Sequence, residues 1–179
     1  MGSSAWLVAS LVLGRVAFGF QFQSVASMGP SLAQQYGLDY AGLGTLIGLF
    51  MAPGIVAALP GGMLGRRLGG RALVGSGFVL MTLGGLLAAV AGSAAMIGAG
   101  RIVAGLGAVA LIVMQGKMIA DRFRGTQFVT VMGLLVGMFP IGVGLSGLVM
   151  TPLVGWGGPG AMFATGAALS ALSGLMLLG

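Results

Sequence analysis

Residues 95–118 read AMIGAGRIVAGLGAVALIVMQGKM, and the fold class turns on this stretch. Laid out as an α-helix at ~1.5 Å per residue it reaches about 36 Å, more than the roughly 30 Å of a bilayer's hydrocarbon core. From Ile102 to Met114 it is apolar on every side. A barrel strand would instead alternate between a lipid face and a lumen face over about ten residues. The stretch is therefore expected to be a membrane-spanning helix.

The same ruler finds five more. They are Ala5 to Met28, stopped by Gly29-Pro30, then Ala41 to Leu64, Ala72 to Ala91, Phe128 to Met150 and Gly160 to Leu178. With Ala95 to Met118 they make one domain, residues 1–179, a bundle of six transmembrane helices. Composition agrees: 58% of residues are hydrophobic and 6% charged, where a soluble chain carries about 25% charged residues to meet water. Glycine supplies 37 of 179 residues with no Gly-X-Y period and with long apolar runs between. That excludes collagen and disorder, and points to closely packed membrane helices whose small residues let backbones approach. The run from Ala5 lacks a basic segment before it and a small-residue cleavage site after it, so it reads as the first span and not as a secretory signal.

The inventory closes off most chemistry. There is no Cys and no His, and Asp39 and Asp121 are the only acids. Disulfides, thiolate or imidazole metal sites, paired-carboxylate hydrolysis and a Ser-His-Asp triad all lack their residues. No enzyme activity, cofactor or metal is expected. The net charge of +6 raises the question of nucleic acid, but the basic residues fall in short groups between apolar runs, not along one polar face. They read as topology-setting charge, and no nucleic-acid partner is expected.

Their distribution is one-sided. The connection after the second span holds Arg66, Arg67 and Arg71; the one after the fourth holds Lys117, Arg122 and Arg124, partly offset by Asp121. The connections after the first, third and fifth spans hold no Lys or Arg. Short-loop Lys/Arg bias marks the cytoplasmic side, so both termini are expected to be cytoplasmic.

Two basic residues remain, Arg15 and Arg101, both inside apolar spans. Arg15 lies about 15 Å along the first helix, near the midplane, and Arg101 lies on the outer side of the middle of the fourth. A central Arg costs roughly 2.5–3.5 kcal/mol on insertion scales and normally faces the bundle interior or a wet cavity. Arg101 has the alternative of snorkelling to the headgroups; Arg15 is too deep for that, and its alternative is a buried partner. No acid lies within a span. Backbone carbonyls, Gln21, Gln23 or Gln115 can satisfy a guanidinium without neutralising it. Two unneutralised arginines suit a carboxylate-like anion, because the planar fork matches it. At helical spacing Arg101, Gly105, Ala108, Ile112 and Gln115 share a face, as do Arg15, Phe18, Gly19 and Phe22. Gln115 thus extends the site, while Gly105 and Gly107 are read as close packing.

The second connection, Gly61-Gly62-Met63-Leu64-Gly65-Arg66-Arg67-Leu68-Gly69-Gly70-Arg71, resembles the signature of the major facilitator superfamily, roughly G-x-L-x-D-R-x-G-R-R. Gly62, Leu64, Arg67, Gly69 and Arg71 match it. Arg66 stands where the family usually has Asp, removing the acid from the ion-pair latch this loop normally forms. Gly100 to Gly107 is similar to the fourth-helix R-x-x-x-G-x-G element, and Asp121 to Gly125 followed by Phe139-Pro140-Ile141-Gly142 is similar to the entry into a Gly/Pro-rich fifth helix. With Gly19-Phe20-Gln21-Phe22-Gln23, the set resembles the cyanate-permease-like branch, whose members handle small anions and related solutes.

The resemblance covers the amino-terminal six helices of a family that usually has twelve, in two halves related by an axis along the membrane normal. It implies either a missing carboxyl-terminal half or a parallel homodimer that imitates the full architecture. It further implies secondary transport of a small organic or inorganic anion by alternating access. Arg15 and Arg101 would hold the charge, Gln115 would make a neutral contact, and Gly62, Arg66, Arg67, Gly69 and Arg71 would form the cytoplasmic gate. With no membrane acid for a proton relay, exchange or facilitated diffusion is expected. The alternatives are a drug or cation exporter of the same fold, and a non-transporting scaffold or truncated remnant. The location is a membrane crossed several times, the bacterial inner (plasma) membrane.

Overall fold

The computed structural model describes residues 3–178, and the backbone alone of residues 3, 4, 58–62, 64 and 66–68. The expectations for Gly62, Arg66 and Arg67 therefore lie outside the described residues. The helices are α1 (Ser3–Ser27), α2 (Gly29–Tyr36), α3 (Tyr40–Leu68), α4 (Gly70–Ala89), α5 (Ala94–Arg122) and α6 (Gly125–Leu178). Among the described residues, five are long and apolar enough to cross a membrane.

Two connections differ from the sequence expectation. Gly29-Pro30 ends the first span, but it opens the short helix α2 instead of a loop. Proline sits in the first turn of α2, where its missing N–H is an orphan donor anyway and its fixed φ suits a helix. Gly37 closes α2 in the left-handed region, at φ 64°. The expected loop between the second and third spans shrinks to Gly69 alone, at φ 85° and ψ 148° between α3 and α4. Only glycine takes that conformation without strain.

The last two expected spans belong to one long element. Gly157 (φ −139°, ψ 19°) and Gly158 (φ 65°, ψ −169°) break α6, and Pro159 starts the helix again beyond them, at the one position where it fits. The starts of α3 and α5 are set by side-chain caps. Asp39 accepts from the Gly42 N–H at 2.7 Å at the start of α3, and Ser93 accepts from the Met96 N–H at 3.3 Å at the start of α5.

In lipid, burial of apolar side chains does little to drive helices together, and close backbone packing does more. α1 lies along α6, and α5 lies between α3 and α4, with α4 closing against α6. A Cβ on Gly142 would fall 2.9 Å from the Val16 carbonyl carbon of α1, and one on Gly84 2.5 Å from the Gly100 carbonyl oxygen of α5. Gly105 sits against the Phe50 backbone of α3, and Gly107 against Gly77 and Met81 of α4. Both are packing glycines, as their spacing suggested. Buried polar groups add cross-links from α1: Ser10 donates to the Ser173 carbonyl at 2.7 Å, and the Gln21 amide donates to Ser170 Oγ at 2.8 Å and the Gly166 carbonyl at 3.0 Å. The result is two tight pairs, α1 with α6 and α4 with α5, with α3 packed on the other side of α5. Their inner helices, α1 and α5, face one another and are joined by side chains.

Candidate functional site

Three layers of side chains stack along α1: two of them join it to α5, and the one between joins it to α3 and α6. The first, nearer the end that carries Arg71 and Lys117, joins Arg15 of α1 to Gln115 of α5. With the Gln115 carboxamide turned so that its oxygen faces the cation, that oxygen lies 3.1 Å from Arg15 Nε, 3.2 Å from Nη1 and 3.3 Å from Nη2. Near-equal distances to all three nitrogens put that oxygen over the face of the guanidinium. A bidentate partner would lie at an edge, so the fork that suits a carboxylate stays directed elsewhere. Arg15 is half-buried, while Gln115 is buried.

The second layer is aromatic. Phe18 and Phe22 of α1, Phe50 of α3 and Phe139 of α6 form one cluster, with ring centroids 4.9 Å apart for Phe18 and Phe139, 6.0 Å for Phe18 and Phe50, and 5.8 Å for Phe22 and Phe139. Phe18 stands 5.8 Å from the Arg15 guanidinium carbon, within cation–π reach.

The third layer is Arg101 of α5. It is 2% exposed, and its donors are taken up by the far end of α1 and by α3. Nε donates to the Leu46 carbonyl at 3.2 Å, Nη2 to the Phe22 carbonyl at 3.2 Å, and Nη1 to the Gln21 carbonyl and to Ser24 Oγ. Its guanidinium carbon stands 4.2 Å from the Phe50 centroid. It does not snorkel outward.

The two arginines are thus divided by the aromatic layer. Arg15 and Gln115 are brought together; Arg101 meets α1 at Gln21 and beyond, six residues or about 9 Å further along the axis. Sequence reasoning named backbone carbonyls and glutamines as acceptors, but not which arginine would take which. Phe50 and Phe139 were missed, because residues far apart in sequence meet there only through tertiary packing. Of the turn residues, Gly69 is the turn itself, and Arg71 caps α6, with Nε and Nη2 donating to the Leu177 carbonyl at 3.1 and 2.7 Å. A cation suits that negative helix end. Both acids lie at helix ends: Asp39 as a cap, Asp121 paired with Lys117.

Long apolar helices packed through glycine, with guanidiniums held inside the bundle, define an integral, multi-pass membrane protein. The family model described as Major Facilitator Superfamily matches residues 11–179, and the chain belongs to that superfamily. Among solved structures it is similar to the proton:xylose symporter XylE bound to 6-bromo-6-deoxy-D-glucose, with a TM-score of 0.79 and 18% identity over 97% of this chain and 44% of that one. It is also similar to a D-xylose-proton symporter, with a TM-score of 0.78 and 17% identity over 99% of this chain and 48% of that one. No curated protein matches. The chain spans about half the length of these two structures and corresponds to the amino-terminal half of such a transporter.

Proposed function

We propose that this chain is half of a secondary transporter for a small organic or inorganic anion. It works by alternating access, either joined to a second half or as a parallel homodimer, in a bacterial inner membrane with both termini cytoplasmic. The observation that carries the substrate class is Arg15. Its charge sits mid-span beneath a neutral oxygen, while both acids of the chain are committed at helix ends. A bound anion supplies the missing counter-charge and takes the edge of the fork. Gln115 orients the guanidinium and makes the neutral contact.

Arg101 belongs to the same path in a different role. Its carbonyl partners at Gln21, Phe22 and Leu46 tie α1 to α3 and α5, so it positions the helix that carries Arg15 and meets the solute only if that clamp opens. The turn at Gly69, with Arg66, Arg67 and Arg71 around it, is the cytoplasmic gate. Without a membrane acid, exchange or facilitated diffusion is favoured over proton coupling. The similarity of Gly19 to Gln23 to the cyanate-permease-like branch supports a small anion.

The test is reconstitution of the chain in liposomes with a panel of small carboxylates, inorganic anions, an organic cation and a pentose. Anion flux is expected only in particles of twice the chain's mass, or after co-expression with a second half. Arg15→Lys should retain anion preference with weaker affinity, and Arg15→Gln should abolish flux. Flux of the cation or the pentose that survives Arg15→Gln overturns the anion reading; no flux of any solute in either format leaves the scaffold reading standing.

A further inference from the structure

At the end of the bundle that carries the basic residues, a cleft of about 300 Å³ opens between α1, α4 and α5. It is lined by Leu7, Gly70, Arg71, Lys117, Asp121 and Arg122. Three cations face one carboxylate there, and that carboxylate is paired with Lys117. The cleft is therefore electropositive and lies where the bundle meets a membrane surface.

Arg71 leans from this cleft toward α6, donating to the Leu177 carbonyl. Immediately beyond it, one turn along α4, an apolar groove of about 410 Å³ runs between α4 and the last part of α6. Gly75, Phe78, Thr82, Gly174, Leu175 and Leu178 line it. Gly75 gives it depth by presenting no side chain, and Gly174 lets α6 come close to Phe78 of α4. Arg71 thus stands between the two, lining the cationic cleft and bonded to the Leu177 carbonyl beside Leu175 and Leu178 of the apolar groove.

We propose that the two together bind an anionic phospholipid. The phosphate is held by Arg71, Lys117 and Arg122, and one acyl chain lies in the groove between α4 and α6. Basic pockets between helices on the cytoplasmic side hold lipid headgroups by this charge complementarity, and the groove adds a selection for the acyl chain that a dissolved phosphate lacks. The proposal rests on the basic end lying at the leaflet surface. It does not depend on the solute bound at Arg15, so either can fail alone.

Native mass spectrometry of the full chain in detergent tests it, with dioleoyl phosphatidylglycerol, dioleoyl phosphatidylcholine and glycerol phosphate at equal concentration. Phosphatidylglycerol should be retained at least tenfold over phosphatidylcholine and over glycerol phosphate. Lys117→Gln should lower that retention severalfold; it is chosen because Lys117 makes an exposed pair, whereas Arg71 also caps α6. Gly75→Leu, which fills the groove, should lower phosphatidylglycerol retention and leave glycerol phosphate unchanged. Equal retention of the two phospholipids overturns the proposal, as does indifference of phosphatidylglycerol to both substitutions. Glycerol phosphate retained as well as phosphatidylglycerol overturns the lipid in favour of a site for soluble phosphate.

Discussion

A guanidinium inside a bilayer needs acceptors or a counter-ion; Arg101 takes the first route, and the proposed function gives Arg15 the second. Arg101 takes acceptors: Leu46, Gln21, Phe22 and Ser24 supply four hydrogen bonds. At about 0.6 kcal/mol per interhelical bond in a membrane, Arg101→Leu should cost about 2 kcal/mol of stability. Arg15 has one neutral oxygen, so Arg15→Gln should leave stability nearly unchanged while removing the proposed anion site. Thermal unfolding in detergent separates the two. Equal midpoints for Arg101→Leu and the parent would mean that the carbonyl clamp is not what holds α1 to α5.

At the scale of the elements, glycine does two jobs that a composition count merges. Some glycines set how near two helices come. At Gly84 a new side chain would run into the α5 backbone at Gly100, with its Cβ 2.5 Å from the carbonyl oxygen, whereas at Gly133 it would meet nothing within 4 Å. Gly84→Leu should therefore cost about 1–3 kcal/mol by overpacking, and Gly133→Leu should stay within about 0.5 kcal/mol as a surface change. Comparable losses at the two positions would refute the assignment of Gly84 to the α4–α5 contact. The other job is to break a helix, as Gly158 does at φ 65° in α6.

At the scale of the molecule, every basic residue outside α1 and the Arg101 clamp lies at one end, and Asp39, Ser93 and the bend at Gly158 lie at the other. Tyr40 and Trp156, both largely exposed, sit at that second end, where amphipathic rings favour a membrane–water interface. A cysteine at Gly70 should accordingly react only with reagents on the cytoplasmic side, and one at Gly92 only with external ones. Reaction of both from one side would break the proposed orientation.

The membrane class, the all-helical bundle and the superfamily were all legible in the sequence, because each rests on local quantities. A run such as Ile102 to Met114 is long and apolar enough wherever it packs, and the pattern around Gly69 needs its left-handed turn whatever surrounds it. The need of Arg15 and Arg101 for polar company inside the bundle was equally local, since a charge in an apolar run is costly in any fold. Which groups each arginine meets was decided by tertiary structure. Whether Arg101 meets a solute or the carbonyls of Gln21 and Phe22 depends on how α1 lies against α5, and that is set by glycine contacts spread over α4, α5 and α6. The aromatic layer between the arginines depends on the same packing: Phe18, Phe50 and Phe139 are far apart in the chain, and no local spacing records that they meet.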